Sequence, residues 1–105
     1  MKIKLGVDIH DVRPETVIGM LIVDGYYKST SNELTVTSVK DGTHMPNSFH
    51  YSGLAFDCRL PITPIGVSKD WLSKTFVPGL RSSLGYQWDV LLEETHIHVE
   101  FDQRP

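Results

Sequence analysis

The chain has 105 residues, 40% of them hydrophobic and 22% charged, which is the composition of one soluble globular domain with one core. Its longest apolar run, Ile18 to Val23 with Gly19 included, falls far short of the roughly 20 residues a membrane span needs, so no membrane partner is expected. A formal net charge of -3 argues against a nucleic-acid partner held by phosphate neutralisation, and the single cysteine, Cys58, excludes an intramolecular disulfide or a cysteine-rich zinc finger.

Lys2 to Val7 alternates polar and apolar residues and reads as a short, half-buried strand. Lys4 and Asp8 stand where a signal peptide would carry an unbroken apolar segment, so no secretory leader is expected. Arg13-Pro14-Glu15 is a helix start, with Pro14 at the first helical position and Glu15 at the positive end of the dipole. The helix is expected to run to about Tyr27 and to present Val17, Met20, Leu21 and Tyr27 to the core, although Gly19, Gly25 and β-branched Ile18, Ile22 and Val23 weaken it. Glu33 to Val39 is a β-branched alternating strand that ends at the turn former Asp41-Gly42. Residues 43 to 58 are rich in loop formers before Leu54 to Leu60 resumes a strand pattern, which Pro61 and Pro64 break. Ser68 can cap a helix over Lys69 to Phe76, with Pro78-Gly79 interrupting before a second short turn to Leu84, and Gly85 suits the stop.

Gln87 to Glu93 and His96 to Phe101 each alternate, and Glu94-Thr95 between them is the length of a tight hairpin loop. In that register Glu93 faces His96, and His98 lies opposite Leu91 on the same face. Val90, Leu92, Ile97 and Val99 then cover the core from the other face. Taken together the elements predict a small α+β domain over residues 1–105, a mostly antiparallel sheet with helices on one face.

Histidine is the unusual feature of the composition. Of the five, His44, His50, His96 and His98 fall into two short stretches that also hold Asp41, Asp57, Glu93, Glu94 and Glu100. Ser48 to Asp57 has the form S-x-H-x-x-G-x-A-x-D. Catalytic zinc takes three protein ligands, commonly His with Asp or Glu, and leaves a fourth position open. His50 and Asp57 can supply two from the ends of one loop. The third can come from His96 or His98, which share one strand face because they are two residues apart. His10, beside Asp8 and Asp11, reads as plain surface, and Cys58, pointing away from Asp57, as a small buried apolar residue.

These two motifs, S-x-H-x-x-G-x-A-x-D at 48–57 and His96-Ile97-His98, resemble the hedgehog/D-Ala-D-Ala-peptidase zinc superfamily over roughly residues 33 to 101. That superfamily includes D-alanyl-D-alanine carboxypeptidases, phage endolysin endopeptidases and the hedgehog signalling domain. The resemblance implies a hedgehog/DD-peptidase-like fold with zinc held by His50, Asp57 and His98. It implies that His96 is a non-ligand that stabilises the reacting carbonyl or orients water, and that His44 matches a histidine near the metal. It also implies a glutamate shortly before the last ligand as general base to zinc-bound water. Glu93 is preferred on the hairpin register, with Glu94 the alternative if the chain runs on as one strand. Many peptidases of the family hold a terminal carboxylate with an upstream arginine. This chain offers Lys40 there, which carries charge but not the bidentate fork.

The substrate-binding candidates are Lys40, His44, Ser48 and Tyr51, with Tyr51 read equally well as packing and His44 as part of a turn. The implied function is zinc-dependent hydrolysis of peptidoglycan stem peptides, as a carboxypeptidase or an endopeptidase. The alternative is an inactive zinc-bearing interaction module of the same fold. The small size suits a lytic enzyme made in the cytoplasm, phage-encoded and released to the cell wall. No oligomeric state follows from the residues.

Overall fold

The computed structural model describes residues 1–9, 12–39 and 54–102. Its elements are β1 (Lys2–Ile3), α1 (Pro14–Ser29), β2 (Thr35–Ser38), β3 (Ala55–Arg59), α2 (Lys69–Trp71), a π-helical turn (Leu72–Phe76), α3 (Val77–Leu84), β4 (Trp88–Leu92) and β5 (His96–Phe101). The strands form one mixed sheet in the order β1-β2-β3-β5-β4, with β1 parallel to β2 and the other pairings antiparallel. The fold is α+β, and no helix among the described residues is long and apolar enough to cross a membrane.

Alternation divides the sheet into two unlike faces. Val36, Phe56, Cys58, Val90, Ile97 and Val99 point to one side, each at most 2% exposed, and meet Met20, Val23 and Tyr27 of α1 with Phe76, Val77 and Leu80 of the second helical stretch. Burial of this cluster from water is the main force holding the two layers together. Asp57, Arg59, His96, His98 and Glu100 alternate with those core residues and therefore share the opposite face. β3 is the central strand, so Asp57 stands in the middle of that face.

Three local expectations are corrected. The first strand is only Lys2–Ile3, because the chain turns at Lys4 to Val7, where the Val7 N–H donates to the Lys4 carbonyl at 3.1 Å and Gly6 takes φ +91°. In α1 the buried face is Thr16, Gly19, Met20, Val23 and Tyr27, while Val17 and Leu21 are 43% and 57% exposed. The contact that selects this face is Trp88 lying against Gly19: a Cβ on Gly19 would come within 2.2 Å of the indole. Finally, Pro78-Gly79 does not interrupt the second helical stretch. A proline ring collides with the carbonyl four residues back in a regular α-helix. Here a π-turn precedes Pro78, with the Val77 N–H donating to the Leu72 carbonyl, and the wider turn relieves that collision. Gly79 admits the Tyr26 ring, whose hydroxyl donates to the Phe76 carbonyl at 2.7 Å.

Long-range polar bonds hold the loops around this frame. The Tyr27 hydroxyl donates to the Arg59 carbonyl at 2.7 Å, fixing the end of β3 on α1. Buried Asn32 accepts from the Ile62 and Thr63 N–H groups and donates to the Thr63 carbonyl, tying the loop after α1 to the loop after β3.

Candidate metal centre

The hairpin forms in the predicted register. Leu91 faces His98, Leu92 faces Ile97, and the Glu93 N–H donates to the His96 carbonyl at 2.9 Å, which leaves Glu94-Thr95 as the loop. The unbroken strand that would align Glu94 with His96 and His98 is therefore absent, and of the two glutamates at the hairpin tip Glu93 continues their face. Its charge adds, as the smallest contribution, to the rise of the His98 pKa.

β5 also pairs with β3, and there Asp57 stands directly across from His98. The His98 Nδ1–H donates to Asp57 Oδ1 at 2.7 Å, a length typical of a charge-assisted bond. Both side chains are largely shielded, at 16% and 13% exposure. His96 Nε2 lies 3.7 Å from the other oxygen, Asp57 Oδ2, and is more open at 34%. On the far side of the His98 ring, Nε2 is 3.5 Å from Glu100 Oε1. A β-bulge adjoins the pair: Val36 faces Cys58 but Ser38 faces Asp57, so β2 carries one extra residue there. Within it Thr37 Oγ1 donates to the Asp57 carbonyl at 3.4 Å.

The electrostatics of this face favour a cation. The hydrogen bond to Asp57 raises the His98 pKa above its usual range, against an opposing effect of burial, and the charges of Asp57, Glu100 and Glu93 add to the rise. Burial raises the Glu100 carboxyl, with Asp89 and Asp102 pushing the same way and His98 opposing them.

Two of the three expected ligands, Asp57 and His98, are thus brought together from strands 41 residues apart in sequence. The third, His50, lies outside the described residues, as do Lys40, His44, Ser48 and Tyr51. Among the described residues no group of three His, Cys, Asp or Glu side chains is set to hold a metal ion by itself. The donor chemistry of the pair fits zinc all the same. An imidazole nitrogen and a carboxylate oxygen in bonding contact on a shielded, acid-rich face share a proton, which a divalent ion can displace.

Glu100 has no place in the motif reading. The signal was present in the alternation of His96, His98 and Glu100, but a third polar residue on an exposed strand face carries no meaning until its contact is known. Lys69, with Leu60, Val67, Leu72 and Leu92, lines a cavity of about 540 Å³ that reaches Glu93 and Glu94. No family model, curated protein or solved structure matches the chain.

Proposed function

We propose that the chain is a zinc-dependent peptidase acting on peptidoglycan stem peptides, built on a hedgehog/DD-peptidase-like domain. The observation that carries this reading is the Asp57–His98 pair, two ligands of the expected set in contact across β3 and β5 with a 2.7 Å bond. The metal, held by His50, Asp57 and His98, would supply a Lewis acid that acidifies water and polarises a scissile carbonyl.

The chain's own residues supply the rest. Glu93, beside His96 at the open end of the hairpin, accepts a proton from water and delivers it to the leaving amine, a role that suits an accessible carboxylate. His96, which is within 3.7 Å of Asp57 and more exposed than His98, is free to donate to the carbonyl oxygen as charge develops there. The rigid sheet holds these groups at fixed spacing, which limits the reorganisation needed during reaction.

The test is incubation of the purified protein with muropeptides, with zinc and with a chelator, followed by mass spectrometry. A chelator-sensitive cleavage product is expected, and its absence overturns the peptidase reading. Stoichiometric zinc without any cleavage would instead point to an interaction module. Glu93→Gln should keep zinc and lose roughly 10²- to 10⁴-fold in turnover; full activity in that variant would remove Glu93 as the base.

A further inference from the structure

We propose that Glu100 is a positioning residue of this centre, holding His98 from its Nε2 side so that Nδ1 is the nitrogen offered to the metal. The inference rests on the metal reading above and goes beyond it by assigning a residue that the motif does not contain.

A neutral imidazole carries its proton on one nitrogen and its lone pair on the other. A metal shared with Asp57 needs the lone pair on the Asp57 side, which is Nδ1 at 2.7 Å from Oδ1. The proton must then reside on Nε2, and an acceptor there stabilises that tautomer. Glu100 Oε1 is 3.5 Å from Nε2, with its side chain only 14% exposed.

Among the described residues, the neighbours of Glu100 across the sheet supply no better reason for a carboxylate. Directly across on β3 is Ala55, fully buried and apolar, and directly across on β4 is Asp89, a like charge. Facing carboxylates on neighbouring strands destabilise a sheet. His98, two positions earlier on the same strand, is the basic group that the structure sets against Glu100. A carboxylate behind a metal-bound histidine raises ligand basicity and fixes the ring, and losing one typically costs 10- to 100-fold in metal affinity.

Two measurements on the full chain test this. In ¹⁵N-labelled, zinc-loaded protein, ring-nitrogen correlation spectra should show His98 protonated on Nε2 and coordinated through Nδ1. In Glu100→Gln, competition against a chromophoric chelator should show zinc bound roughly 10- to 100-fold more weakly, with an unchanged circular dichroism spectrum and a displaced Nε2 resonance. Coordination through Nε2 in the wild-type protein overturns the proposal, and this spectrum decides the matter even if the variant does not fold. A variant whose zinc affinity and ring resonances match the wild type also overturns it, and leaves the metal reading standing. Failure of the wild-type protein to take up zinc overturns the metal reading and this role with it.

Discussion

The Asp57 carboxylate and the Cys58 thiol leave one strand in opposite directions, Asp57 toward His98 and Cys58 into the core at 0% exposure. That alternation is a property of any strand, so the division of labour between the two residues was legible as soon as Leu54 to Leu60 was recognised as one. The residues alone left the partner of Asp57 open between His96 and His98, because the register between β3 and β5 depends on how the whole sheet assembles. The pairing leads to a prediction for single residues. Asp57→Ala and His98→Ala should each abolish stoichiometric zinc, by more than the roughly 10- to 100-fold typical of losing an outer hydrogen-bond partner. Elemental analysis of the purified variants measures it, and full zinc occupancy in either one removes that residue from the ligand set.

At the scale of elements, α1 shows how a tertiary contact chooses a helix face. Val17 and Leu21 have the spacing of a buried stripe, yet the face turned inward centres on Gly19, where the absence of a side chain leaves room for Trp88. Gly25 on the same helix has nothing within 4 Å of a would-be Cβ. The two glycines should therefore respond oppositely to alanine. Gly25→Ala should stabilise by about 0.5–1 kcal/mol through helix propensity. Gly19→Ala should destabilise by about 1–3 kcal/mol because the indole must move, a cost that outweighs the same propensity gain. Denaturant titrations of both variants check this, and equal stabilisation would mean that Trp88 does not rest on Gly19. The helix after Ser68 has a similar lesson: Pro78 announced a break, but a proline's demand for space can be met by widening one turn without ending the helix.

Over the whole molecule, two groups that the layered core buries set a common dependence on pH. Burial raises the Tyr27 phenol above its ordinary 10.0, with the charge at Cys58 adding to it, and raises the Cys58 thiol well above its ordinary 9.0, with Asp57 adding to that. The folded state keeps both protons where the unfolded chain releases them. Stability from these groups is therefore complete below pH 9, begins to fall as pH passes the unfolded thiol value of 9.0, and falls more steeply past 10.0. Tyr27→Phe should flatten the upper part of that decline, at the loss of about 1 kcal/mol near neutrality from the missing bond to the Arg59 carbonyl. Thermal midpoints measured from pH 7 to 11 test both statements. Zinc should act on the same scale. At 100 times its dissociation constant it should add about 2.7 kcal/mol, and a chelator should reverse the gain. No rise in thermal midpoint with zinc would contradict binding to the folded state.

The sequence by itself determined the alternation of the two C-terminal runs and the split of their residues between an apolar and an ionisable face, because a period of two sends neighbouring residues to opposite sides; the two-residue loop pointed to a hairpin but left one continuous strand open. It also marked Asp57, with either His96 or His98, as chemically suited to one metal. Only the tertiary structure decided that these two meet, that Glu93 and not Glu94 shares their face, and that Glu100 stands behind His98. Those facts depend on strand order and on the packing of the sheet against α1, which are contacts between residues far apart in the chain and are set by the burial of the whole core at once.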